Sequence, residues 1–193
     1  MNQLKMFRLS SLPFEPLTPP EGYSLSNYSA HKDKLAWCEC CKKGLVADDA
    51  DEKAFDDSIT NHDFVVPGTD VFFLDFNGEH IGTVTAFRRP YDNSGVLHMV
   101  GIRPDCRGRG LVKYLNNAGI GKLLKQGVDY IELTTDEWRK SAVKSYLSAG
   151  FLPVNYDTDM VGRWESVLAD IGVDECDMLS DDRSFFKKIS VKG

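Results

Sequence analysis

The chain has no stretch of roughly 18 consecutive apolar residues, no excess of basic residues, and few cysteines for its 193 positions. The first absence excludes a transmembrane helix, so no membrane partner is expected. The second follows from 29 acids against 23 bases, a formal charge of −6, and argues against a generic nucleic-acid binder. The cysteines number five, sparse and odd, which fits a reducing compartment. The start, Met1-Asn2-Gln3-Leu4-Lys5-Met6-Phe7, lacks the continuous apolar run of a secretory signal, so a cytoplasmic protein is expected. What remains, 42% hydrophobic and 27% charged residues, describes an ordinary globular chain long enough to bury a core without disulfides.

The charge is unevenly spread. Acids cluster between Asp48 and Asp57, and nine more between Asp157 and Asp182 are opposed by Arg163 alone. Between Arg103 and Lys125 the sign reverses: Arg103, Arg107, Arg109, Lys113, Lys122 and Lys125 face only Asp105, a local charge of about +5. The acidic runs read as solvated surface. The basic stretch overlaps a glycine-rich sequence and is the better guide to a ligand.

Patterning predicts the elements. Residues 1–20 carry Pro13, Pro16, Pro19 and Pro20 and read as an irregular, extended segment on the surface. Gly22–Tyr28 alternates as a strand, Lys32–Lys43 reads as a helix, and the acidic stretch 48–63 as a helix or loop. Asn77-Gly78 between two β-branched and aromatic runs is a type I′ hairpin signal. Val96–Ile102 is a strand, Gly110–Lys125 a helix, and Val128–Thr134 a strand. A helix from Trp138 to Ala149 ends at Gly150, followed by a short strand, Phe151–Val154. Met160, Val161, Trp164, Val167, Leu168 and Ile171 form the apolar face of a last helix. The class is mixed α/β. The expected organisation is an extended segment 1–20, a domain over 21–172, and an acidic tail or added strand over 173–193.

The stretch Ile102-Arg103-Pro104-Asp105-Cys106-Arg107-Gly108-Arg109-Gly110-Leu111-Val112 ends a strand and opens a helix. Glycines there let the backbone approach a ligand, and the first N–H groups of the helix make an anion site. A P-loop would continue Gly-Lys-Ser/Thr, and a Rossmann fingerprint needs a third glycine; neither is present. Cys38-x-Cys40-Cys41 lacks a second pair of metal ligands, so no metal is expected.

This stretch resembles motif A of the GNAT acetyltransferase superfamily, whose Gln/Arg-x-x-Gly-x-Gly/Ala core maps onto Arg107, Gly108, Arg109, Gly110, Leu111 and Val112. Val112 departs from the usual Gly or Ala. A second block, Ala142-Val143-Lys144-Ser145-Tyr146-Leu147-Ser148-Ala149-Gly150-Phe151, is similar to motif B; Arg139 stands where many members have Asn. The resemblance covers residues 70–155 best. It implies a mixed, splayed sheet flanked by helices, with acetyl-CoA as co-substrate. Its pyrophosphate would be held by the turn and its pantetheine arm would run along the strand of Val100 and Ile102. Tyr146 would protonate the departing thiolate.

The acceptor implied is a primary amine of a small molecule or peptide. A general base must deprotonate its ammonium. His98 shares strand parity with Val100 and Ile102 and is one candidate; Glu132 and Asp136, acting through water, are others. A non-catalytic acyl-CoA sensor on the same fold is the alternative, and a nucleotide binder a weaker one. A monomer or a homodimer is expected.

Overall fold

The computed structural model describes residues 2–191. Met1, Lys192 and Gly193, at the outer ends of the segments 1–20 and 173–193, lie outside the described residues. The chain divides into two compact units, Phe14–Val128 and a second made of Met1–Pro13 with Asp129–Gly193. The first strand, β1 (Leu4–Leu9), belongs to the second of these units. Residues 4–9 are therefore not the irregular surface segment expected from the prolines. Leu4, Met6 and Phe7 are buried, and the first proline, Pro13, comes only after the strand has ended.

In the unit Phe14–Val128 the chain forms β2 (Tyr23–Asn27), α1 (Asp33–Cys41), α2 (Glu52–Phe55), α3 (Pro67–Asp70), β3 (Val71–Phe76), β4 (Glu79–Arg89), β5 (Ser94–Ile102) and α4 (Val112–Lys125). The strands pair antiparallel in the order β2-β3-β4-β5. Asn77 and Gly78 have φ of 50° and 82°, the positive values a tight I′ hairpin needs to match strand twist. The acidic stretch is helical rather than a loop: Asp51 accepts from the Lys53 N–H at 2.9 Å, and α2 runs on into a π-helical turn, Asp56–Thr60. Its acids point to solvent while Phe55 and Ile59 turn inward. They join Trp37, Cys38, Cys41, Val71, Phe73 and Phe87 in a buried cluster between α1, α2 and one face of the strands. Trp37 meets Phe55 edge-on at 5.3 Å. The other face carries α4, where Leu115 approaches Gly82 and Gly119 lies against Leu97 and Ala86.

The second unit contains β1 with β6 (Tyr130–Thr135), α5 (Lys140–Ser148), β7 (Leu152–Asn155), α6 (Met160–Ile171), β8 (Glu175–Ser180) and β9 (Phe185–Ser190). The strand order is β6-β1-β7-β8-β9. The strand nearest the N-terminus thus lies between two strands more than 120 residues away, antiparallel to both. β7 and β8 pair in parallel, which makes this sheet mixed, and the C-terminal stretch forms two strands. Phe7, Tyr130, Val154 and Leu179 form its core, with Phe7 edge-on to Tyr130 at 5.0 Å. Helix α5 stops at Gly150, where the Phe151 N–H reaches back to the Tyr146 carbonyl at 3.0 Å. α6 buries Met160, Trp164, Val167 and Leu168, the apolar face read from the sequence. The architecture is mixed α/β, open sheet flanked by helices.

Candidate functional site

The glycine turn joins β5 to α4. Gly108 and Gly110 take φ of 78° and 69°, and a Cβ on either would meet no heavy atom within 4 Å. Conformation, not crowding, is what asks for glycine here. The two left-handed residues turn the backbone so that α4 starts at Val112 with Leu111 before it, and no side chain among the described residues caps that end. The Tyr114 N–H turns back to the Leu111 carbonyl at 3.1 Å, which leaves the Val112 and Lys113 N–H groups, with the helix dipole behind them, for an outside acceptor. Arg107 braces the turn. Its Nε donates to the Ile102 carbonyl at 2.8 Å, its Nη1 to Lys43 O at 3.2 Å and its Nη2 to Lys42 O. Arg109 donates to the Asp105 carbonyl at 3.2 Å.

The basic island is less cationic than its sequence suggests. Arg103 is bound to Asp105 at 2.8 Å and to Glu79 at 3.1 Å, and these carboxylates raise its pKa. Lys122, half-buried, is bound to the buried Asp70 carboxylate and to the Ala86 carbonyl. Arg107 and Arg109 of the turn, and Lys113 at the start of α4, are exposed. Four of the five cysteines, Cys38, Cys40, Cys41 and Cys106, are buried, and burial pushes the Cys40 thiol up to about 12; Cys176 is half-buried.

The strand leading into the turn is irregular, and this overturns one expectation. Thr83 pairs with Gly101 but Thr85 pairs with His98, so β5 holds one extra residue against β4. The bulge falls at Met99, whose φ is 51°. It breaks the parity that put His98 on the same face as Val100 and Ile102. Ile102 faces α4, its Cδ1 2.6 Å from where a Gly82 Cβ would stand, beside Leu115. His98 lies on the opposite face with Phe87, the two rings 6.4 Å apart. Gly101 on that face lets the Cys40 carbonyl come within 2.6 Å of the position a Cβ would take. Burial, followed by the nearby His62, holds the His98 pKa below its ordinary value, with the Ser58 backbone acting the other way.

Tyr146 and Glu132 belong to the other unit. Tyr146 sits on α5, 6% exposed, with its ring 6.1 Å from Phe151. Burial pushes its phenol up to about 12, with the charge of Arg139 pulling weakly the other way. Glu132 is half-buried on β6 opposite Phe7 of β1. Asp136 accepts from Gln3 Nε2 at 3.0 Å and faces Arg139 Nε at 3.5 Å.

Two features escaped the sequence reading. The bulge at Met99 leaves no composition signal of its own, although Gly101 inside a strand is the kind of residue that marks one. His62 stands alone in an acidic stretch, and only folding brings its ring to 6.0 Å from His98 and 4.5 Å from Phe87.

A family model described as the acetyltransferase (GNAT) family matches residues 33–151. A mycothiol acetyltransferase of Streptomyces scabiei is 30% identical over 171 residues, covering 85% of this chain and 54% of that protein. Its counterpart in Streptomyces coelicolor is 29% identical over 151 residues, 76% of this chain and 48% of that protein. The chain spans about half the length of these relatives. Among solved structures, a GCN5-related N-acetyltransferase from Sphaerobacter thermophilus superimposes with a TM-score of 0.64 at 20% identity, covering 78% of this chain and 47% of that one. At that identity the likeness bears on the fold.

Proposed function

Because the chain belongs to the GNAT acetyltransferase family, we propose that it moves an acetyl group from acetyl-CoA to a primary amine by direct attack. The observation that carries this reading is the turn itself: two left-handed glycines open onto the uncapped N-terminus of α4. That cradle fits a pyrophosphate, because backbone N–H groups and a helix dipole stabilise an anion without a dedicated lysine. Arg107, Gly108, Arg109, Gly110, Leu111 and Val112 would hold the pyrophosphate. The backbone of Val100 and Ile102, next to the bulge, would hold the pantetheine arm and polarise the thioester carbonyl.

In this reading Tyr146 is the acid. A phenol held at about 12 stays protonated at neutral pH and can give its proton to a departing thiolate. His98 is the base, since burial lowers its pKa and keeps the ring neutral at pH 7. Glu132 and Asp136 remain rival bases; Asp136 is already held by Gln3 and Arg139. The acceptor is a small-molecule or peptide amine. The name shared by the curated relatives makes a mycothiol-related amine the first to try.

The test is calorimetry with acetyl-CoA, followed by thiol release across an amine panel. Saturable binding and acceptor-dependent release of CoA are expected. No binding would end the reading; binding with no release from any amine would favour the acyl-CoA sensor.

A further inference from the structure

We propose that His62 is the outlet through which the proton taken from the acceptor ammonium by His98 reaches solvent. The inference rests on the acetyltransferase reading and adds a relay residue to it. Two local irregularities converge at one place in the unit Phe14–Val128. The bulge at Met99 turns His98 toward the helical face, and the chain that follows the π-helical turn places His62 beside it. The His62 ring lies 6.0 Å from that of His98 and is wedged at 4.5 Å against Phe87.

The His62 Nδ1 accepts only a long contact, 3.4 Å, from the Phe64 N–H. A contact that weak yields when a proton arrives, and Nε2 can then release one. Ring centroids 6.0 Å apart leave the transfer to a bridging water.

Charged groups on the surrounding elements are engaged except Asp63, which follows His62 and is exposed. On the π-helical turn Asp56 is bound to Lys34 at 2.7 Å and Asp57 to Lys53. At the end of β4, Arg88 donates to Asn93 at 2.7 Å and Arg89 faces Asp92 at 3.5 Å. The titratable group that acts on His98 is His62.

The balance closes. The ammonium loses one proton to His98, its nitrogen bonds to the thioester carbon, and the carbon–sulfur bond breaks. A second N–H proton goes to the thiolate by way of Tyr146. The first passes from His98 through water to His62 and out, so one proton is released per acetyl transferred. A half-buried imidazolium beside a second histidine is disfavoured, and the relay clears it before the next turnover.

The test is His62→Phe, which keeps a ring against Phe87 and removes both nitrogens. About a tenfold or larger fall in kcat is expected. The acetyl-CoA KM should not change, and added imidazole should restore the rate in part. Wild-type kcat in the variant, or a loss that imidazole does not restore, overturns the proposal. An NMR titration of the His98 ring gives a readout free of turnover: with the neighbouring charge gone, its midpoint should rise. An unchanged midpoint overturns the coupling, whether or not an acceptor is known. Absence of thiol release from the wild-type protein with a shifted midpoint in the variant would instead count against the acetyltransferase reading.

Discussion

Arg8 Nε donates a hydrogen bond to the Ala149 carbonyl at 3.1 Å, tying β1 to the last turn of α5. The same guanidinium donates to Leu9 O at 3.2 Å, Leu12 O at 3.4 Å and Pro13 O at 2.7 Å. One buried cation thus satisfies carbonyls at a helix end and at a chain reversal, and burial pulls its pKa down.

Replacing Arg8 by Met keeps much of the volume but orphans those carbonyls. The expected cost is about 3 kcal/mol, from several buried acceptors losing a charged donor. Urea denaturation followed by Trp fluorescence should show the midpoint falling. A wild-type midpoint would mean that water replaces the guanidinium at no cost.

Gly110→Ala puts a Cβ where φ is 69° but nothing stands in its way. The strain of a left-handed residue, about 1 kcal/mol, should appear as weaker acetyl-CoA binding and a slightly lower Tm. Gly110→Asn, which tolerates that conformation better, should recover part of both. Calorimetry on the pair separates backbone strain from steric exclusion of the ligand.

Tyr146→Phe should reduce kcat roughly a hundredfold while acetyl-CoA affinity stays within about twofold. There is also a stability signature. The folded phenol titrates at about 12, above its unfolded value, so its contribution is fully present below pH 10 and is lost as pH rises from 10 through 12. That loss amounts to about 2–3 kcal/mol. Denaturation at pH 9 and pH 11.5 should show it in the wild type and not in the variant.

Lys122→Met leaves the buried Asp70 carboxylate without its cation. A loss of about 3 kcal/mol is expected. The salt dependence of acetyl-CoA binding should be unchanged, because that charge is spent inside the protein. A reduced salt slope would return Lys122 to the ligand site.

Much of the fold was legible because it is local. Asn77-Gly78 demands positive φ twice, Gly150 follows an apolar helical face, and Arg107–Val112 carries its turn chemistry within six residues. β1 was not legible, since what makes Leu4–Leu9 a central strand is a pair of neighbours far along the chain. His98 was found as a residue but given the wrong face, because strand parity assumes one residue per step and the bulge at Met99 inserts another.

The sequence by itself determined the family, the glycine turn and the phenol on its helix, since each is written in short local spacings. The tertiary structure decided which charges stay available and which side chains meet. Arg103 and Lys122 are neutralised by Asp105, Glu79 and Asp70, and His62 comes to His98. Except for Asp105, those partners lie outside the basic stretch, and burial and pairing across such separations depend on packing rather than on the local pattern.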